Sequence, residues 1–348
     1  MIWSRLFKQS SSGLPETTHT LLIAEASAAQ AMLPLAQALQ QKFGDLGIGW
    51  VGKTEFSAFP NVELDDSGLR QIRKLRLQRV VALGDACAAL IPDGCAAYVV
   101  NAAHKPTKPV DGIFVADPAR AAGIPDAIVS GDALANITEL AAPSTDTAIC
   151  ERFLEQRQGG RWIGYFAATG EGEEDPAYLI FNRLIRHKMG LMVLAPFDPA
   201  RCEPVYREAI KYRLQPIRHN RLSTSFVPIK TRVYYVEDAA ARNAMYACCD
   251  WVVVGGTLAD RSNVAPDIVT PLQLRRPVVV GPHGQHTAVL QAAIRAGVVL
   301  SAASEDELFA HLKHIIDAPE AAAERTEHAY AWLAAQPGAL PRVIAGIA

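Results

Sequence analysis

The sequence predicts an α/β protein of two Rossmann-like domains whose parallel sheets face each other across a cleft. Three observations predict it. From Thr20 onward, short apolar runs alternate with longer amphipathic stretches, the pattern of helices packed on parallel sheets. The runs are continuous in Val, Ile and Leu, as strands buried on both faces read. The scheme pauses once, near residues 150–162, where a polar helical stretch ends in Gly159-Gly160 and a new strand begins.

In the first half the predicted strands are TLLIAEA (20–26), IGWVG (48–52), RVVALG (79–84), AAYVVNA (96–102), GIFVAD (112–117) and AIVSGD (127–132). Helices are expected over 28–41 and 67–77. The second half repeats the plan with RWIGYFAAT (161–169), GLMVLAPFD (190–198), RVYYVED (232–238), DWVVVGG (250–256), RPVVVGP (276–282) and GVVLSA (297–302). An Ala-rich helix follows Pro319, and QPGALPRVIAGIA starts a short last one. The expected domains are a flexible 1–18, then 19–155 and 156–348.

With 348 residues, half of them hydrophobic, the chain is long enough for two cores. Its 34 basic and 36 acidic residues give a net charge of −2 and no long run of either sign, so nothing electrostatic recommends nucleic acid. The six cysteines are scattered without a C-x-x-C pair. Neither a disulfide framework nor a zinc site is therefore expected, and a reduced cytoplasm fits. The opening MIWSRLFKQSSSGLPETT is too short to span a bilayer. It reads as a frayed terminus or a small interfacial foot.

Ligands of open parallel sheets bind beyond the carboxyl ends of the strands, where helix amino termini turn their N–H groups to the crevice. After strand 161–169 comes Thr169-Gly170, within TGEGEED. Asp175 stands where a dinucleotide fingerprint needs its third glycine, and Glu171, Glu173 and Glu174 would repel a pyrophosphate. A plain reading has Glu173, Glu174 and Asp175 charging the first turn of the next helix. After strand 190–198, Asp198 before Pro199 reads as a cap. After DWVVVGG, Gly255, Gly256 and Thr257 permit close approach of a ligand, or let the chain turn. Further on lie Asp267, Thr270 and the Gly281-Pro282-His283 turn. In the first half Glu25 and Asp85 are carboxylates at strand ends. His311 and His314 sit three apart on a helix without a third ligand, so no metal is expected.

The run from Tyr246 to Leu258, then Pro277 to His283, then earlier Thr169 with Gly172-Glu173-Glu174 and Pro196 to Arg201, resembles the Kdo transferases. Those enzymes move 3-deoxy-D-manno-octulosonic acid from CMP-Kdo to lipid A precursors. Fainter likenesses are AEASAAQAMLPLAQAL and AYVVNAAH in the first half. The resemblance implies a GT-B fold, an acceptor-side first domain and a nucleotide-sugar-binding second one. It further implies metal-independent inverting transfer without a cofactor, a CMP-sugar donor and a lipid A-like or saccharide acceptor. A cytoplasmic place follows, with peripheral contact at the inner membrane. The nucleotide positions carried over are Thr169, Gly170, Asp198, Arg201, Gly255, Gly256, Thr257, Asp267, Thr270 and His283.

The departures bear on activity. The family's general base aligns with Ala28, which leaves Glu25, or Asp85, for that role. Asp267 and Thr270 replace an asparagine and a glutamate that serve the nucleotide, and Phe197 replaces a phosphate-seeking arginine. Each lost charged hydrogen bond costs about 1.5–3 kcal/mol, so two weaken CMP binding about a thousandfold. The sequence thus leaves two readings: a working transferase, in which Thr169, Arg201, Arg261 or His283 steady the departing phosphate, or a diverged scaffold that binds or assembles.

Overall fold

The computed structural model describes residues 13–54, 58–143, 148–222, 225–283 and 287–348. The apolar and basic residues of the amino-terminal foot, Ile2 to Lys8, lie outside them. The chain forms two compact units, Met1–Glu139 with Ala334–Ala348, and Leu140–Leu333.

The first unit runs β1 (Thr20–Glu25), a 3-10 turn (Ala26–Ala28), α1 (Leu33–Phe43), β2 (Gly47–Val51), β3 (Asn61–Glu63), α2 (Asp66–Ile72) and β4 (Arg79–Leu83). It continues through α3 (Asp85–Ala88), β5 (Ala96–Val100), β6 (Gly112–Val115), α4 (Pro118–Ala122) and β7 (Ile128–Val129). Seven parallel strands lie in the order β3-β2-β1-β4-β5-β6-β7. The order reverses between β1 and β4, which makes their carboxyl ends the switch point of this sheet. Leu21, Leu22, Ile23 and Ala24 of β1 are fully buried, as a central strand covered on both faces requires. The first predicted helix starts later than its pattern, because 26–28 turns as a 3-10 helix and Pro34 occupies the first turn of α1. Asp65 accepts hydrogen bonds from the N–H groups of Ser67 and Gly68 and so fixes the start of α2.

The second unit holds a 3-10 turn (Ala148–Phe153), α5 (Leu154–Gln158), β8 (Trp162–Thr169), α6 (Glu174–His187), β9 (Gly190–Pro196) and α7 (Cys202–Lys211). Then come β10 (Pro216–Arg218), β11 (Val233–Tyr235), α8 (Ala239–Met245), β12 (Trp251–Val254), α9 (Val269–Gln273) and β13 (Val278–Val280). α10 (Ala288–Ala296), β14 (Leu300–Ser301), α11 (Glu305–Asp317) and most of α12 (Pro319–Ala335) complete it. Its seven parallel strands follow β10-β11-β9-β8-β12-β13-β14, with the reversal between β8 and β12. The core is aromatic at its centre: Trp251 packs 5.4 Å from Trp162 and 5.7 Å from Phe166, ring centre to ring centre. Both units are therefore Rossmann-like α/β layers, the fold class that the alternating pattern predicts.

The last helix, α13 (Ala339–Gly346), belongs to the first unit. Val343 and Ile347 join the core under β1 and β2. Buried Gln336 accepts from the Asp132 N–H at 2.7 Å and donates to the Ala116 carbonyl at 3.2 Å. Arg342 donates to the Ser130 carbonyl, and Lys42 to those of Ile344 and Ile347. The division thus falls at Glu139–Leu140 rather than after residue 155, and the chain's end returns across it.

The cysteine reading needs correction. Cys150, in the 3-10 turn that opens the second unit, is bonded to Cys248, in the 3-10 turn (Tyr246–Cys248) that leads into β12. The sequence gives no sign of the pair, since 98 residues separate the two. Neighbouring Cys249 is free and buried, and burial pushes its thiol up to about 12. Among the described residues no group of three His, Cys, Asp or Glu is placed to hold a metal, and no helix is long and apolar enough to cross a membrane. Closing so long a loop constrains the unfolded chain, so reduction or Cys150→Ser is expected to lower unfolding free energy by about 2–4 kcal/mol. Urea denaturation with and without dithiothreitol measures this, and the reductant should have no further effect on C150S.

Candidate functional site

The candidate site of the second unit begins where β8 and β12 diverge. The register of β8 against β9 shifts between Ala167 and Thr169, and Ala168 takes a φ of 53°. This bulge redirects Thr169 and the following Gly170-Glu171-Gly172 turn. Glu173 comes next, fully buried, with its carboxylate under the end of β12. One oxygen, Oε1, accepts from the N–H groups of Thr257 (2.8 Å) and Leu258 (2.6 Å). The other, Oε2, accepts from the N–H groups of Gly170 (2.5 Å) and Gly256 (2.8 Å) and from the Ser262 hydroxyl (3.2 Å).

A buried carboxylate survives without a cationic partner only if donors replace its water, and here amide dipoles do so. The double glycine is what lets them converge. A Cβ on Gly255 would stand 1.9 Å from the Ala168 carbonyl oxygen, and one on Gly256, whose φ is 81°, 2.0 Å from that of Val264. No side chain fits at either position. Thr257 turns inward: its hydroxyl donates to the Val254 carbonyl at 2.7 Å and accepts from the Gly281 N–H at 3.0 Å. Gly256 and Thr257 are thus brought together with Gly170, and their N–H groups are engaged by the protein's own anion. Gly255 gives its N–H to the Ala167 carbonyl.

A second carboxylate organises the other side of the turn. Glu174 receives both arms of the Arg201 guanidinium, at 3.0 and 2.7 Å, and the Thr169 hydroxyl at 2.9 Å. This is a fork on a fork, three-quarters or more buried on both partners, with side-chain exposures of 25% for Arg201 and 6% for Glu174. Asp198 accepts from the Ala200 N–H and caps the 3-10 turn Pro199–Arg201 that carries Arg201. Asp267 accepts from the N–H groups of Val269 and Thr270 and caps α9, so Thr270 sits in a first helical turn. Exposed Arg261 and half-exposed His283 flank this loop, His283 with its Nδ1 2.8 Å from Asp260.

In the first unit, Glu25 is the last residue of β1 and exposed, and the Ser27 hydroxyl lies 3.3 Å from its carboxylate. Asp85 follows β4 at the same switch point but is committed to a loop: it accepts from the N–H groups of Ala103 and His104 and pairs with His104 Nδ1 at 2.8 Å. Ala28 lies in the 3-10 turn after Glu25. Cys87 beneath them is no nucleophile at neutral pH, since burial first and the Glu25 charge second push its thiol up to about 12. Asn101, in the family-like AYVVNAAH phrase, is held in a left-handed turn (φ 57°) and donates to buried Asp132 at 2.6 Å.

Sequence reasoning placed Glu173 and Glu174 as dipole charges at a helix start and missed both networks. The signal available was the GEE phrase itself, whose partners lie 83 to 85 residues away for Glu173. Glu173→Gln keeps the shape, but its amide nitrogen can accept nothing, which strands buried N–H groups. A loss of about 3 kcal/mol or more is expected. Urea unfolding monitored at the buried tryptophans measures it; an unchanged midpoint would remove Glu173 from the foundation of this loop.

Neither a protein-family model nor a curated protein matches the sequence. Solved structures resemble it at low identity, with TM-scores below 0.5. The carboxyl-terminal CMP-Kdo-binding domain of WaaA from Acinetobacter baumannii is 20% identical, over 53% of this chain and 95% of that domain, with a TM-score of 0.46. A glycosyltransferase from Rickettsia africae is 8% identical over 94% of this chain and 97% of its own, with a TM-score of 0.41. Anabaena HepE in complex with UDP and glucose is 10% identical over 94% and 98%, with a TM-score of 0.37.

Proposed function

We propose that the chain is a sugar-transfer protein of Kdo-transferase type, taking a nucleotide-activated sugar, CMP-linked in the first instance, and passing it to a saccharide or lipid hydroxyl. The observation that supports this reading is the meeting of two phrases on which the resemblance rests. GEE at 172–174 and GGTL at 255–258 converge through Glu173 on the switch point of the second sheet, where ligands of such sheets bind. In inverting transfer the acceptor oxygen bonds the anomeric carbon, its proton passes to a base, and the nucleotide leaves with the electrons of its bond to the sugar. Glu25 is the carboxylate free to take that proton, being exposed at its own switch point while Asp85 is bound to its loop. Charge on the departing phosphate would be met by Arg261 and His283, which flank the loop.

A second reading is favoured by a specific observation. The amides of Gly170, Gly256, Thr257 and Leu258 already hold an internal carboxylate, and Arg201 is clamped on Glu174. A protein whose anion-binding groups are filled from within serves as a scaffold that binds or assembles without transferring sugar.

Thermal unfolding in the presence of CMP, UDP, GDP and ADP separates the two. A ligand at a hundred times its dissociation constant adds about 2.7 kcal/mol, several degrees for a domain of this size. Stabilisation by CMP above the others is the expected result, and no response to any of the four sinks the transferase reading. In a chain that does respond, Glu25→Gln should lower transfer by about a hundredfold or more with nucleotide affinity unchanged; unaltered turnover would remove Glu25 from the chemistry.

A further inference from the structure

The opposite edge of the second sheet carries a cavity that the reading above does not use. It opens at the amino ends of β8, β12 and β13, where Trp162, Trp251 and Pro277 stand, and holds about 380 Å³. The end of α11 and the start of α12 close its other side with Ile315, Ile316 and Ala322. Sites for small molecules have this character: a few hundred cubic ångströms, mostly apolar, with a small number of polar groups.

The polar groups are almost all of one sign. Arg161, Lys188, Arg275 and Arg276 line the cavity against a single carboxylate, Asp250. Asp250 is already satisfied, receiving the Arg157 guanidinium on Oδ1 at 3.0 Å and the Ile163 N–H on Oδ2 at 2.7 Å. Two of the cations are partly spent, Arg275 on exposed Glu327 and Arg161 on Gln156 and the Ile229 carbonyl. The other two keep capacity. The Lys188 ammonium has no partner among the described residues, and Arg276 gives one arm to the Ala247 carbonyl while its Nε is buried and unpartnered.

A third observation is independent of charge. The indole N–H of Trp251 has no hydrogen-bond partner, although the residue is fully buried and forms part of the cavity wall. This nitrogen and the Arg276 Nε are both closed off within the packed wall, so Trp251 presents apolar ring surface and no free donor to the cavity. Trp162, by contrast, donates its indole N–H to the Lys188 carbonyl at 2.8 Å.

We propose that this cavity is a binding site for a small organic anion, an acidic head group on a compact apolar body. The head lies toward Lys188 and Arg276 and the body against Trp251 and Ile315. A carboxylate and a phosphate ester share this chemistry, and a ring or short alkyl chain fills the volume.

The probe pair 8-anilinonaphthalene-1-sulfonate and neutral N-phenyl-1-naphthylamine tests it, since the two differ chiefly in the acidic group. Titration of the folded full chain should give saturable one-to-one fluorescence with the sulfonate, displaced by decanoate or by phenyl phosphate according to which head group is preferred. Ala323→Phe, at the exposed rim, should weaken both probes by about tenfold or more by filling the space. Lys188→Glu, on the surface and harmless to folding, should weaken the sulfonate about tenfold and the neutral probe by less than about threefold. Absence of one-to-one saturation, displacement by neither competitor, an unchanged affinity in A323F, or equal loss of both probes in K188E would each overturn the proposal.

Discussion

The second unit depends on one interaction, the burial of the Glu173 carboxylate among backbone amides. Together with the Gly255 N–H on the Ala167 carbonyl, it ties the turn after β8 to the loop after β12. Four N–H groups and a hydroxyl donate to two oxygens, and among the described residues no cation pairs with them. Amide dipoles stay fixed once the strands are laid, so the carboxylate is solvated by groups that need no reorganisation. Sequence follows from this. Glycine is demanded at 255 and 256 by carbonyl oxygens about 2 Å from where a Cβ would stand, and Thr257 is demanded by a hydroxyl that must both donate and accept. The double glycine is therefore a condition for housing an internal anion, and ligand approach need not be invoked to explain it.

What could be read in the sequence follows the range of the interactions involved. Strands such as LLIA in β1 and WVVV in β12 announce themselves because burial on both faces leaves only apolar residues. β3 and β10 do not, being three-residue edge strands, half buried, whose hydrogen bonds rather than side chains define them. The cap at Asp198 is visible because its partner lies two residues ahead. The Glu173 amides, the Cys150–Cys248 bond and the Gln336 clamp are not, because each joins segments whose nearness is decided only when the sheets form. Periodicity shows that the Ala-rich tail is helical. Only the acceptance of Val343 and Ile347 by the first unit's core tells which sheet the last helix, α13, covers.

The same separation holds for the candidate site. Thr169, Gly170, Arg201, Gly256 and Thr257 are each held by a glutamate that sequence reasoning had set on a helix dipole. Asp198 caps its turn as its place before Pro199 predicts, and Asp267 accepts from the first N–H groups of α9. In the first unit the two carboxylates at the switch point differ in a way no pattern reveals. Asp85 is drawn into the loop at 103–104 by two N–H groups and an imidazole, while Glu25 keeps its carboxylate toward solvent.

The contrast between the switch points sets the physical terms for any chemistry. At the second, a phosphate seeking the amides of Gly256 and Thr257 competes with a carboxylate tethered three residues from Gly170, which never leaves by dilution. Expelling it would strand a charge in an apolar core or require its protonation, several kcal/mol in either case. A nucleotide bound here would therefore have to be gripped from the rim, by exposed side chains on a loop that Glu173 keeps rigid. Such a grip is weaker per contact than an amide nest, being solvent-screened, but its geometry is preset and costs little ordering on binding. Arg261 lies in the loop after β12, and His283 follows β13 with its backbone N–H on the Thr257 carbonyl. Affinity for a nucleotide held in that way would rest on solvent-screened contacts and would fall as ionic strength rises.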